Sequence, residues 1–250
     1  MKRFKNLLLS LFFILKIVNA SGQAPSHASF DALLKKHVST KGEVNYVGFN
    51  KDKAKFDEYL SLLKANAPAS NWTANQKLTY WINAYNAFTI DLVLQYADKK
   101  IRSIKDIGDK IKIPFVNTPW DVKFIQIGKE KYTLNDIEHG IIRKQFSEPR
   151  IHFALVCAAK SCPPLRNEAY TPEKLNTQLN EQAKAFINDT SKNLVIENKL
   201  EISSIFDWYG ADFKAKSMQE YLNQYANTKT QANTKITYKK YDWSLNGTLK

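Results

Sequence analysis

The chemistry of this chain concentrates in one run, Arg150-Ile-His-Phe-Ala-Leu-Val-Cys-Ala-Ala-Lys-Ser-Cys-Pro-Pro-Leu-Arg166, which holds both cysteines and one of four histidines. A thiol, an imidazole base, an orienting polar group and backbone amides for an oxyanion are the equipment of a cysteine hydrolase or acyltransferase acting on amide-type bonds. Cys162 or Cys157 would supply the thiol, and His139 or His152 the base. Glu138, Asn83 or Asn86 would orient that base, and the amides of residues 158–161 would meet the oxyanion. Lys160, Arg150 and Arg166 would favour the thiolate. Cys162 is the preferred nucleophile, because a loop thiol is more accessible than one at a strand end. Arg143, Arg150, Arg166 and Tyr85 are the candidate binding residues.

Two other chemistries use the same residues. In the first, Cys157 and Cys162 form a disulfide that clamps the loop, and Glu138, His139, Arg143 and Arg150 form a buried polar network in a non-catalytic binding or structural module. In the second, His139, His152, the cysteines and Glu138 hold zinc. Their spacing matches no familiar zinc pattern, so no cofactor is expected and zinc is the minor alternative.

The elements that must position these residues follow from periodicity. The apolar, β-branched run 151–157 reads as a buried strand ending in a stiff, proline-containing loop. Strand alternation would then point His152 and Cys157 to opposite faces. The longest helical pattern, 70–97, opens with a capping box at Thr73 and Gln76 and is apolar on more than one side, so it should be central and buried. Asn83 and Asn86 lie on one face of it, as either backbone ties or the wall of a polar site. Glu138, His139 and Arg143 belong to a helix over 134–146 with Thr133 as N-cap. Shorter helices are expected over 30–37, with His37 at the helix end, and over 51–63, 171–187, 203–208 and 214–225. Hairpins are expected over 122–134 and 194–202, a loop over 112–120 and a closing strand over 236–241. Trp208, Tyr209, Tyr241 and Trp243 read as packing residues, with a substrate groove as the alternative. The fold class is α+β, one domain over 21–250, with helices on a small mixed or antiparallel sheet. A papain-like arrangement would require a rearranged order, since the central helix carries no cysteine.

Residues 1–20 read as a signal peptide: Lys2, Arg3 and Lys5, then an apolar stretch, then small residues near Ala20. Removing them, with Lys16, takes the formal charge from +13 to +9. A secreted or periplasmic protein without stable membrane insertion is expected, in a compartment where disulfides persist. Nucleic acid is a poor partner there. A small molecule, a peptide or a cell-envelope component is the expected substrate.

Six ordered motifs carry a resemblance: Trp81-Ile-Asn-Ala-Tyr-Asn-Ala87, Thr133-Leu-Asn-Asp-Ile-Glu-His139, Glu148-Pro-Arg-Ile-His-Phe-Ala-Leu-Val-Cys157, Ser161-Cys-Pro-Pro-Leu-Arg166, Ile205-Phe-Asp-Trp-Tyr209 with Asp212-Phe213, and Tyr241-Asp-Trp-Ser-Leu-Asn246. On these the chain resembles the DUF547 family over about 44–246. The resemblance implies kinship and names no reaction. The family often has glycine after the first cysteine, where this chain has Ala158, which weakens the expectation of a sharp positive-φ turn there.

Overall fold

A computed structural model describes residues 22–107, 118–213 and 217–249. The signal-peptide reading of 1–20 and most of the expected loop over 112–120 lie outside them. Helix α1, Ala28–His37, buries Phe30, Leu33, Leu34 and His37 along one stripe. His37 ends the helix as expected, its Nε2 2.7 Å from Asp52 Oδ2. The short β1, Val44–Asn45, leads into α2, Tyr46–Lys51. Helix α3, Lys53–Ala65, buries Phe56, Tyr59, Leu60 and Leu63.

The central helix α4, Ala74–Gln95, starts where its cap dictates. The Gln76 amide donates to Thr73 Oγ1 at 3.2 Å and the Thr73 amide donates to Gln76 Oε1 at 2.8 Å, so two end donors that would lack partners are satisfied reciprocally. From Leu78 to Leu94 every residue of α4 is buried. Strands β2, Ile125–Ile127, and β3, Glu130–Tyr132, form the expected antiparallel hairpin. Thr133 and Asp136 exchange hydrogen bonds at 2.8 Å each and open α5, which is π-helical over Asp136–Ile142 and continues through Arg143–Gln145. Helix α6, Leu175–Ile187, buries Gln178 and Gln182 as well as its apolar face.

Strands β4, Leu194–Ile196, and β5, Lys199–Ser203, pair antiparallel, followed by α7, Ile205–Trp208, and α8, Met218–Tyr225. Strand β6, Ile236–Lys239, joins β5 in parallel. The last strand β7, Gly247–Thr248, pairs in parallel with β1. Gly247 is needed there, since a Cβ would stand 1.9 Å from the Val44 carbonyl oxygen.

The main core surrounds α4. A second cluster, including Phe153, Phe186, Phe206 and Phe213, lies between α6, α8 and the three-stranded sheet. Each such ring contributes about 2–3 kcal/mol by burial. The result is the α+β single domain expected, with small sheets of two and three strands. Among the described residues no helix is long and apolar enough to cross a membrane.

One expectation fails. Residues 151–157 do not form a strand. Pro149–Phe153 is a 3₁₀ helix, begun by proline and by Glu148, whose side chain accepts from the Arg150 amide, and residues 155–157 are irregular. The run is apolar because it is enclosed by neighbouring elements, which a fully buried strand and an enclosed irregular segment both require. The alternation argument for His152 and Cys157 falls with the strand, since both line the same cavity.

Candidate functional site

Irregular backbone can be buried only when its amides and carbonyls find partners. Here side-chain amides provide them. Asn86 donates to the Ala154 carbonyl at 2.9 Å and accepts from the Val156 amide at 3.0 Å. Asn83 treats Tyr170 the same way, at 2.9 and 3.0 Å. Gln178 and Gln182 bond to the backbone of Ala169, Thr171, Phe153 and Pro164. Asn83 and Asn86 are therefore backbone ties, the first of the two roles expected for them. They place the site without lining it.

The cysteine loop is held from the far end of the chain. The amides of Lys160 and Ser161 donate to the carbonyls of Ser244 and Asp242, and the Asn246 amide donates to the Ala158 carbonyl. This accounts for the Tyr241–Asn246 motif as a strap across the loop. Ala158 has φ +59, so the tight turn is present although a Cβ makes it costly. Cys157 and Cys162 are joined by a disulfide. The Tyr241 hydroxyl lies 3.3 Å from each sulfur, and the Cys157 amide donates to Cys162 Sγ at 3.0 Å. Among the described residues, neither sulfur hydrogen-bonds to an imidazole.

Above the disulfide opens a pocket of about 240 Å³. The central helix α4 contributes Tyr85, helix α5 contributes Glu138 and His139, and the 3₁₀ turn contributes His152. Helix α7 and its end contribute Ile205, Trp208 and Tyr209, and the C-terminal strap adds Tyr241 and Trp243, with Trp120 completing the aromatic wall. Trp208, Tyr241 and Trp243 pack on one another, as expected, and with Tyr209 they also line this pocket. A π-helical segment is a frequent device at functional sites, because it shifts the side chains it carries out of α-helical register. Helix α5 carries Glu138 and His139 on such a segment.

A network behind the pocket orients the histidines. Arg143 grips Asp212 with two bonds, Nε to Oδ2 at 2.6 Å and Nη2 to Oδ1 at 2.9 Å. His152 Nε2 lies 2.7 Å from the same Oδ2, and Arg143 Nη1 donates to His139 Nδ1 at 3.1 Å. Arginine cannot accept, so the neutral His139 carries its proton on Nε2. The guanidinium holds Asp212 well below the usual carboxylate range, at about 2, with His152 assisting. Burial pushes the His152 pKa down, and its bond to Asp212 opposes this only in part. Near neutral pH the His152–Asp212 contact is therefore a hydrogen bond from a neutral imidazole to a carboxylate, and the ion pair forms only on acidification. The His152 ring stacks on Tyr209 with centroids 4.0 Å apart. Glu138, almost fully buried, interacts with the hydroxyls of Tyr85 and Tyr209. Burial first, and Glu138 second, drive both phenols upward in pKa.

Of the candidate residues, the pocket gathers Cys157, Cys162, His139, His152, Glu138 and Tyr85. Arg143 stands just behind it. Arg150 and Arg166 are not part of it: Arg150 is bound to Glu148, Asn176 and Asn180, and Arg166 to Glu168 and Glu181. They brace the ends of the cysteine run against α6. Arg150 is likewise absent from the polar network expected around His139. Asp212 is the residue missed. Its place in a motif pointed to it, but the link to His152 spans 60 positions and is made only by folding. Among the described residues, no group of three or more His, Cys, Asp or Glu side chains is arranged to hold a metal ion.

The family model described as "Protein of unknown function, DUF547" matches residues 69–187. No curated protein and no solved structure matches the chain. The matched stretch contains α4, α5, the disulfide loop and α6. The pocket walls at Ile205–Tyr209 and Tyr241–Trp243 lie beyond it.

Proposed function

We propose, from the premise that residues 69–187 belong to the DUF547 family, that this is an exported cell-envelope protein whose pocket binds a small organic molecule or a peptide group. In this reading Cys157–Cys162 is the floor of the pocket and not a nucleophile. The observation that carries it is the combination of a bonded sulfur pair with an open, aromatic-walled cavity of about 240 Å³ directly above. Concave, mostly apolar sites with a few convergent polar groups are the usual form of a ligand site. The histidines are already committed to Asp212 and Arg143, an arrangement that fixes the walls.

Thiol-dependent hydrolysis or acyl transfer is the second reading. It is favoured by His139, His152 and Glu138 lining the same pocket as both sulfurs. It requires a thiol reductant to open the disulfide first.

The pocket holds three of the chain's five tryptophans, so intrinsic fluorescence reports occupancy. Protein purified without reductant is titrated with cationic, neutral and anionic organic probes. A saturable change, lost when Ile205→Trp fills the cavity, is the expected result. No response to any probe would overturn the binding reading. Amide or thioester turnover that appears only after reduction, and vanishes on alkylation, would replace it with the second.

A further inference from the structure

We infer that the group received by this pocket is an organic ammonium, either a protonated amine or a quaternary ammonium, held against Glu138 between aromatic faces. The inference rests on the binding reading above and specifies its ligand. It begins from a contrast in charge. The chain carries 37 Lys and Arg against 24 Asp and Glu, yet among the described residues no Lys or Arg lines the pocket. Glu138 supplies a carboxylate there and interacts with the phenols of Tyr85 and Tyr209.

The neighbouring charges do not supply a counter-ion inside the cavity. Arg143 is already paired in two-point fashion with Asp212. His152 is kept in its neutral form near neutral pH by burial, and His139 accepts from Arg143 through Nδ1. A bound cation would meet the Glu138 carboxylate and a wall built from Tyr85, Trp120, Trp208, Tyr209, Tyr241 and Trp243. Ring quadrupoles attract cations at such distances, and desolvation strengthens the attraction. An anion would meet the same rings and Glu138, and the cations at the wall are already engaged, Arg143 by Asp212 and Lys105 on the Trp243 ring.

The molecule already uses this chemistry at the edge of the same aromatic group. Lys105 Nζ sits 4.0 Å from the centroid of the Trp243 ring, and the Arg143 guanidinium lies 5.1 Å from that of Tyr209. The volume of about 240 Å³ is below the roughly 300–1,000 Å³ that encloses a drug-sized molecule. The pocket therefore takes a head group and leaves the rest of its ligand outside, past the half-exposed Trp208.

Choline and its neutral carbon isostere, dimethylbutanol, differ in charge at nearly constant shape, with dimethylbutanoate as the anionic counterpart. Each is titrated into the oxidised full-length protein by calorimetry and tryptophan fluorescence. Choline should bind at least about tenfold more tightly than the alcohol, and Glu138→Gln should bring that ratio towards one, while Lys41→Ala leaves it unchanged. If Glu138→Gln does not fold, Trp208→Leu, at a half-exposed position, should weaken choline more than the alcohol. Equal binding of choline and the alcohol, or preferred binding of the carboxylate, overturns the ammonium assignment and leaves the binding reading standing. Failure of all three probes, in a protein whose fold is verified by circular dichroism, overturns both.

Discussion

Two cavities share Cys162 and Pro163 as wall residues, and they differ in kind. Among the described residues the aromatic pocket is lined by six tyrosines and tryptophans and by no lysine or arginine. The wider groove, about 1400 Å³, is lined by Lys36, Lys41, Lys160, Lys192 and Lys240 together with hydroxyls such as Ser39, Thr40 and Ser161. One short loop thus divides an apolar, locally acidic site from a basic, hydroxyl-rich one. The difference shows that the chain's excess positive charge is segregated. Some of it is engaged locally: Lys36 pairs with Asp52 at 2.6 Å, and Lys192 donates to the Lys160 carbonyl. A cleft whose described lining holds no lysine, with Lys105 set on the Trp243 ring at its edge, is selective in a way that a uniformly basic surface is not.

The sharpest way to break this partition is to loosen the loop that makes it. Asn86→Ala removes the partners of the Ala154 carbonyl and the Val156 amide, both buried. Leaving two such groups unpaired should cost about 3 kcal/mol. The expected outcome is a lower denaturation midpoint together with loss of pocket binding. Replacing both cysteines by serine should cost about 2 kcal/mol, the loop-closure term for a bridge across so few residues. It should weaken pocket binding more than it disturbs far-UV circular dichroism.

Acid separates the pocket from the rest of the core. Burial depresses His152, and it depresses His27, which lies outside both cavities, to about 4. Unfolded histidine takes up a proton near 6.5. The stability these two residues contribute is therefore complete above pH 6.5 and is lost as pH falls below it, over a window that for His27 extends to about 4. Urea midpoints at pH 7.5 and 5 should fall towards acid, and His27→Gln should flatten that slope while leaving pocket binding at pH 7.5 intact. The smallest effect is expected at the turn. Ala158→Gly relieves a left-handed conformation at the cost of added freedom in the unfolded chain, for a net gain of about 0.5 kcal/mol.

Much of this architecture was legible because local chemistry and tertiary context agree. The capping boxes at Thr73 and Thr133, the helical stripe of α1 and the two hairpins all appear where spacing put them. The failure at 151–157 has a definite cause. An apolar run reports burial, and strand pairing is only one route to it. Here Asn86 gives Ala154 and Val156 the two hydrogen bonds that a neighbouring strand would have given. The π-helical segment of α5 was invisible, since its bond pattern leaves no mark on the spacing of Ile137, Ile141 and Ile142. Cys157, Cys162, His139, His152, Glu138 and Tyr85 were identified by residue type and do converge. Arg150 and Arg166 were drawn in by nearness in sequence to the cysteines, and they serve instead as braces on α6 through Asn176, Asn180 and Glu181. Trp208, Tyr241 and Trp243 do pack on one another and Tyr209 stacks on His152, and a packed aromatic group can be a cavity wall on its other side.

The sulfur pair sets the character of the pocket, and a thiol count tests its state most directly. Protein isolated without reductant is treated with a chromogenic thiol reagent while folded, and again after unfolding in denaturant. No reactive thiol in either state is the predicted result, since the two cysteines are bonded to each other in the folded chain. Two thiols, one of them reacting rapidly in the folded protein at neutral pH, would contradict it and make the pocket a nucleophile's site.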